Sequence, residues 1–337
     1  MNIVLTRLDR VGDLILSTPA IRSVRRSWPH ARITLVCSGY NAVVVERNPD
    51  LDSVLVAPFD ASPAHYGRRF RGATDLAIAL APRAQDFALV GATRAPVRVG
   101  YTYVRRYFAR MMAHRYLTRV AISEADPALC ERRAGYRVRH EAEQVLELVL
   151  LAGGSEFATD LVVPIEDVDR NAVTHVPAGG IAFHLGARWF SEGSTLASTL
   201  ELIAALRRFG LPVVVTYGVD ALAQAGAVRA AGVADAVVGG LAFAQWAAVF
   251  EKSRMVVTVD TGATHVASAT RRPTIVLFEH RYFHLNSQEW SPYRVPSVCI
   301  RKPASEDAAA LAASRASILA AAGELLGSQA PTLRLPT

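Results

Sequence analysis

The stretch Asn2-Ile3-Val4-Leu5-Thr6-Arg7-Leu8-Asp9-Arg10-Val11-Gly12-Asp13 decides the fold. Residues 2–8 are apolar and β-branched enough for a buried strand, and residues 9–13 read as a loop. From Leu14 to Trp28 the apolar positions recur at helical spacing until Pro29 stops them. A strand that empties into a helix opens a βαβ unit, and the rhythm continues. Strands are expected at 33–38, 54–57, 76–80 and 97–100, helices at 40–47 and 140–151, the latter closed by Gly153-Gly154. Beyond a linker at 160–177 the pattern restarts. Strands fall at 181–184, 211–217, 236–238, 255–259 and 274–278, helices at 195–209, 221–231, 242–252 and 264–270, and an Ala-rich helix at 307–326 ends the series. The expectation is an α/β protein of two Rossmann-like doubly wound domains, 1–165 and 166–337, facing a central cleft, with the terminal helix free to pack back on the first.

Composition agrees with that class. With 337 residues, 51% hydrophobic and 20% charged, the chain is neither disordered nor fibrous and is long enough for two cores. Its apolar runs fall short of the roughly 20 residues that span a bilayer. The first residues read as a strand and not a signal peptide, so a cytoplasmic protein is expected. Cys37, Cys130 and Cys299 lack CxxC spacing, which excludes a disulfide framework or zinc site from the reading. The net charge is +7, and only Lys252 and Lys302 are lysines, so arginine carries nearly all the positive charge. Arginine binds phosphate and carboxylate bidentately, which points to an anionic partner.

Ligands of open parallel sheets bind at the carboxyl ends of strands. The loop at 7–13 holds no GxGxxG and no P-loop. It offers Asp13, read either as a helix cap or as a general base beside a helix N-terminus. The loop Val259-Asp260-Thr261-Gly262-Ala263-Thr264-His265 follows the most hydrophobic strand of the second half. Gly262 permits close backbone approach, and hydroxyls, free N–H groups and His265 make a place for phosphate. Taken singly, Thr261 reads equally as a cap and His265 as a core histidine.

In order along about 280 residues, the segments Ile3–Leu14, Thr18-Pro19-Ala20-Ile21, Asn48–Asp52, His140-Glu141-Ala142-Glu143, Val259–Ala269 and Pro273-Thr274 resemble glycosyltransferase family 9, the ADP-heptose:lipopolysaccharide heptosyltransferases. The resemblance implies a GT-B fold. It implies metal-independent, inverting transfer from a nucleotide sugar, with no cofactor, the acceptor on the first domain and the donor on the second. Asp13 becomes the general base, and Arg7, Arg10, Gly12, Arg68 and Arg105 are assigned to the acceptor. Asp260, Thr261, Gly262 and His265 are assigned to the donor diphosphate. Arg188 is the candidate replacement for a phosphate-binding lysine that the family carries after strand 181–184 and this chain lacks. Asp220 and Gly240 are assigned to the nucleotide by position, and Glu192 is unfavourable beside a diphosphate unless it binds sugar or ribose hydroxyls. The loop from Glu279 to His284 also departs from the family pattern.

Eleven arginines fall between Arg68 and Arg119, and Tyr103, Tyr107 and Met111 stand at helical spacing among them. This region reads as a surface for an anionic glycolipid or for the inner face of a membrane, or as a helix packed through its aromatic stripe. No RNP, KH or zinc-finger pattern supports nucleic-acid binding. The function expected is transfer of heptose from ADP-heptose to an anionic glycan such as lipopolysaccharide inner core. The alternatives are a different nucleotide sugar or small-molecule acceptor, or a nucleotide-sugar-binding homologue without activity.

Overall fold

The computed structural model describes residues 1–58 and 62–327. In chain order the elements are β1 (Asn2–Arg7), α1 (Val11–Ser27), β2 (Arg32–Ser38), β3 (Ser53–Ala57), α2 (Pro63–Arg68), β4 (Leu76–Ala79), α3 (Ala84–Thr93), β5 (Val97–Tyr103), α4 (Tyr107–Tyr116), β6 (Arg119–Ser123), α5 (Pro127–Arg132) and α6 (Glu141–Ala152). The second series is α7 (Asp167–Ala172), β7 (Ile181–Leu185), α8 (Leu196–Leu206), β8 (Val213–Tyr217), α9 (Leu222–Ala231), β9 (Ala236–Val238), α10 (Phe243–Glu251), β10 (Met255–Val259), α11 (Gly262–Ala269), β11 (Thr274–Phe278), α12 (Phe283–Glu289), β12 (Ser297–Arg301) and α13 (Ala308–Gly327).

Two parallel six-stranded sheets result, ordered β3-β2-β1-β4-β5-β6 and β12-β11-β10-β7-β8-β9. Numbered within its own half, each sheet has the order 3-2-1-4-5-6. The order reverses between β1 and β4 in one and between β7 and β10 in the other, and such switch points open the crevices where ligands bind. The central strands are buried on both faces, which is why β1, β4, β10 and β11 read as near-continuous apolar runs. Around β7, β8, β10 and β11 the second core gathers Phe183, Trp189, Leu202, Val215, Val257 and Ile275.

The chain divides into Met1–Pro164 with His284–Trp290, and Ile165–Phe283 with Ser291–Thr337. The break at 164/165 lies beside the expected 165/166, but most of α12 joins the first unit. The terminal helix belongs to the second unit. Ile318, Ala321, Ala322 and Leu325 of α13 are buried in the second core, against α8, β11 and β12. At 20 residues and a mean hydropathy of 1.3, α13 is long and apolar enough to cross a membrane, contrary to the sequence expectation. Its Arg315 forms an ion pair with Glu201 of α8. The helix expected at 40–47 is a single 3-10 turn, Ala42–Val44, because the β-branched run Val43-Val44-Val45 disfavours helix. Cys37 and Cys130 are buried, and Cys299 is half-buried.

Candidate functional site

β1 pairs with β2 on one side and β4 on the other, so its carboxyl end opens at the switch point of the first sheet. Arg10 is the N-cap of α1, and Asp13 sits two residues inside the helix. Asp13 is therefore not the cap, and its carboxylate turns to Arg7, with Oδ1 3.6 Å from Nη2. The Arg7 guanidinium is 2% exposed and spends its donors internally: Nε on Asp9 Oδ1 at 3.0 Å, Nη1 on Ser17 Oγ at 3.0 Å and Leu80 O at 2.6 Å, and Nη2 on Glu141 Oε1 at 2.9 Å. Glu141 is itself clamped by the Tyr101 hydroxyl, 2.7 and 2.8 Å from its two oxygens.

One guanidinium thus faces three carboxylates. Burial opposes the charge of Arg7, but Asp9, Glu141 and Asp13 together outweigh it and keep it cationic. Burial pushes the Asp13 carboxyl up to about 7; Arg7 pulls it back, Asp9 and Glu141 push it further, and Arg10 opposes them. A carboxylate poised near neutrality is a competent general base at physiological pH. Asp86, buried on α3, is likewise raised to about 7 by burial and then by Asp9, while accepting a hydrogen bond from Thr6 Oγ1 at 3.0 Å.

The acceptor residues fare unequally. Arg7 is sealed in this network and offers nothing to an anion. Arg10 is exposed beside Asp13, and Gly12 is buried in the same turn. Arg105, just past the carboxyl end of β5, is exposed and ion-paired with Asp126. Arg68 lies at the other end of the sheet. It ends α2, which returns the chain to the start of β4, where Ala73 O accepts from Asn2 Nδ2 at 2.9 Å and Asp75 N donates to Asn2 O at 3.0 Å. A six-residue β1, about 17–20 Å of strand, separates that edge from Asp13.

The same topology divides the arginine-rich stretch. Arg68, Arg69, Arg71, Arg94, Arg98, Arg115 and Arg119 lie at helix ends, before strands or in the first residues of strands at the amino edge, while Arg83, Arg105, Arg106 and Arg110 cluster where β4 and β5 end. Several are structural: Arg98 Nε donates to Tyr116 O at 2.7 Å, and Arg119 Nη1 to Leu151 O at 2.7 Å. The aromatic stripe is not a packing face either. Tyr103 is buried in β5, but Tyr107, Phe108 and Met111 of α4 are 77%, 67% and 59% exposed.

In the second unit three loops meet. The backbone after β7 turns at Gly186 into a 3-10 turn, Ala187–Phe190. A Cβ on Gly186 would lie 3.6 Å from Asp220 Oδ2 and 3.8 Å from Thr261 Cγ2, so the β7, β8 and β10 loops converge there. Asp220 Oδ2 accepts from Ala187 N at 2.7 Å. Arg188 Nη1 bridges to Asp260, 2.6 Å from Oδ2 and 2.8 Å from its carbonyl. Thr261 is the N-cap of α11, but its hydroxyl donates to Val259 O at 3.2 Å and leaves the helix terminus without a side-chain cap. Gly262 starts that helix and His265 is buried one turn in. Arg188, Asp220, Asp260, Thr261 and Gly262 are therefore brought together. Gly240, exposed at φ +69° with nothing near its missing Cβ, is a turn residue after β9.

Three features escaped sequence reasoning. A Cβ on Gly239 would strike the Tyr217 ring at 2.2 Å, so this glycine seats the ring, which also receives a hydrogen bond at its hydroxyl from Arg229 Nη2 at 2.6 Å. Lys302, 1% exposed beyond β12, reaches under the Arg188 loop and donates to the carbonyls of Arg188 and Trp189. Glu192 accepts from His280 N at 2.5 Å, and Ser191 Oγ bonds Glu279 at 3.2 Å. These contacts tie the loop after β7 to the loop after β11. Among the described residues, no group of three or more His, Cys, Asp or Glu is placed to hold a metal ion.

Residues 180–315 match the family model for glycosyltransferase family 9 (heptosyltransferase). No curated protein sequence matches the chain. Among solved structures, a glycosyl transferase of family 9 from Veillonella parvula is 20% identical with a TM-score of 0.76, covering 97% of each chain. E. coli ADP-heptose lipopolysaccharide heptosyltransferase II is 17% identical with a TM-score of 0.74, covering 98% of this chain and 100% of that one. E. coli heptosyltransferase WaaC with ADP is 17% identical with a TM-score of 0.69, over 96% and 99%. The family match lies in the second unit apart from residues 284–290, which belong to the first; the likeness across both units is one of GT-B fold.

Proposed function

We propose that this chain, a glycosyltransferase whose residues 180–315 form a glycosyltransferase family 9 domain, moves heptose from ADP-heptose to an anionic glycan such as lipopolysaccharide inner core, with inversion at the anomeric carbon. The observation that carries the reading is Asp13: a carboxylate at the switch point of the first sheet, set near neutrality by its surroundings. It takes the proton of the acceptor hydroxyl as oxygen bonds to the anomeric carbon and the bond to the β-phosphate oxygen breaks. The hydroxyl becomes acidic only as that bond forms, so transfer to Asp13 is concerted with attack.

Charge then builds on the departing diphosphate. The uncapped N-terminus of α11 and the Gly262 N–H supply donors there, the Thr261 hydroxyl joins them by exchanging Val259 O for phosphate, and Arg188 stands within reach of the same loop, held by Asp260. Heptosyltransferase structures of this fold with ADP support the choice of nucleotide. Arg10 and Arg105 remain for the acceptor. The exposed Tyr107, Phe108 and Met111 beside Arg105 and Arg106 support a cytoplasmic protein that rests on the anionic inner face of the membrane.

A different donor sugar is favoured by one observation: the loop after β7 lacks the lysine and is cross-tied through Glu192 and Ser191 to the loop after β11. Titration with ADP, UDP and GDP, followed by turnover of the matching nucleotide sugars on a heptose-deficient core acceptor, tests both readings. ADP binding with heptosyl transfer is the expected result. Binding of another nucleotide with transfer selects the alternative, and nucleotide binding without turnover leaves a non-catalytic homologue.

A further inference from the structure

Asp13 is not the innermost group of its own site. The strongest donor of Arg7 on that side, Nη2, goes to Glu141 at 2.9 Å, while Asp13 waits at 3.6 Å, an ion pair without a hydrogen bond. Glu141 belongs to α6, 128 positions away along the chain, and is 1% exposed. Both its oxygens are fixed by the Tyr101 hydroxyl of β5, itself buried. Nε and Nη1 of Arg7 are fixed by Asp9, Ser17 and Leu80 O, so the guanidinium has no freedom to turn while Glu141 holds the remaining nitrogen.

We propose that Glu141 is the positioning residue for Asp13: by occupying Arg7 Nη2 it keeps the guanidinium from closing on the Asp13 carboxylate, and its own charge sustains the basicity of that carboxylate. The assignment rests on Asp13 being the base of the transfer. Without Glu141, Arg7 Nη2 and Asp13 would close from 3.6 Å to hydrogen-bond distance. A charge-assisted bond of that kind stabilises the carboxylate strongly and makes it a weaker base. Tyr101 acts one step further out, holding Glu141 in the orientation that meets Arg7.

The groups that face Asp13 are Arg7 from β1, Asp9 and Arg10 from the following loop, and Glu141 from α6. Behind Glu141 stand Tyr101 and Tyr103 of β5 and Glu289 of α12. Asp9 and Glu141 both share Arg7 with Asp13 and repel it, but Asp9 does so from Nε, and Glu141 alone holds Nη2, the nitrogen that faces Asp13. Removing its charge therefore moves the Asp13 midpoint down by two routes with one sign: the repulsion is lost, and a neutral acceptor competes less strongly than a carboxylate for Arg7 Nη2.

The test reads the carboxyl itself. In the full chain with 13C-labelled aspartate carboxyls, assigned through Asp13→Asn, the Asp13 midpoint is expected near 7 and is expected to fall by at least one pH unit in Glu141→Gln. Glutamine keeps an acceptor for Arg7 and for Tyr101, so packing is preserved while the charge is lost. The acid limb of kcat/KM should move down with it, with lower turnover above pH 7. Tyr101→Phe, which leaves the charge and releases its orientation, should shift the midpoint in the same direction by less. If Glu141→Gln is folded and its Asp13 midpoint stays within about 0.3 unit of wild type, the proposal is overturned, whatever happens to turnover. If that variant does not fold, Tyr101→Phe decides by the same criterion of direction. A shifted midpoint together with full transfer by Asp13→Asn would instead remove Asp13 as base and leave the carboxyl coupling standing.

Discussion

The two sheets share one strand order, and at the switch point of each an arginine crosses from the first strand's side to the fourth's. In the first unit Arg7 runs from β1 to Leu80 O beyond β4. In the second Arg188, beyond β7, runs to Asp260 beyond β10. Their surroundings are opposite: the Arg7 side chain is 2% exposed among buried partners, that of Arg188 is 37% exposed over a single aspartate. A buried guanidinium saturated with partners is a fixed charge that tunes its neighbours. A half-exposed one paired to one carboxylate can exchange that partner for a phosphate. The same topology thus builds a permanent electrostatic setting for chemistry in one half and an exchangeable grip for a ligand in the other.

The largest effect should come from the residue that the fixed charge serves. Asp13→Asn is expected to lower kcat by about 10² to 10⁴-fold, the range of general-base catalysis, with a melting temperature at or above wild type because a buried ionisable group is lost. Steady-state turnover with the donor identified by titration measures it. Activity within tenfold of wild type would leave the first switch point without its catalytic role.

Next, paired substitutions set the two arginines against each other. Arg7→Met removes the guanidinium that Asp9, Asp13 and Glu141 share and leaves only the exposed Arg10 beside Asp13, so the unit should lose about 3 to 5 kcal/mol. Arg188→Met removes a partly exposed pair worth at most about 1 kcal/mol, yet it should weaken ADP binding about tenfold or more. Denaturant melts and calorimetry on both variants read the contrast. Equal losses of stability, or unchanged ADP affinity in the Arg188 variant, would break it.

The local parts of this picture were legible in the sequence. The strand–loop–helix at residues 2–28 and the loop at 259–265 are read from neighbours in the chain, and Asp13, Asp260, Thr261 and Gly262 all fell to that reading. What determines how those residues behave comes from afar. Glu141 stood in a recognised segment without a role, and Tyr101 and Lys302 gave no local sign, because their partners lie 40, 134 and 114 positions away. The arginine stretch misled for a related reason. Sequence shows that charges cluster along the chain, but alternate βαβ connections send successive ones to opposite edges of the sheet, so a run such as Arg68 to Arg119 cannot form one surface.

The buried charge of the first unit has a cost that pH exposes. Glu289, fully buried on α12, is pushed up to about 8 by burial and then by Glu141, against hydrogen bonds from Gln144 Nε2 at 3.1 Å and the Tyr103 hydroxyl at 3.0 Å. Below the ordinary glutamate value both folded and unfolded chains hold this proton. As pH rises toward 8 the unfolded chain releases it first, so stability falls through that window and levels off above it. Glu289→Gln keeps the hydrogen bonds and cannot ionise. It should match wild type near pH 4.5 and exceed it at pH 8.5 by roughly 2 to 4 kcal/mol in denaturant titrations. A pH-independent difference would assign Glu289 a packing role only.

The smallest effect distinguishes position from charge. Arg68 and Arg71 are exposed before β4, at the edge of the first sheet away from Asp13, whereas Arg10 and Arg105 share the edge where β1 and β5 end. If acceptor recognition follows net charge, neutralising either pair with serine raises the acceptor KM alike, since each removes two positive charges. If it follows the sheet edge, Arg68→Ser with Arg71→Ser leaves KM within about twofold, while Arg10→Ser with Arg105→Ser raises it severalfold. The second outcome is expected, because at 0.15 M salt the Debye length of about 8 Å is less than half the length of β1, and a charge on the far edge is screened before it reaches the acceptor.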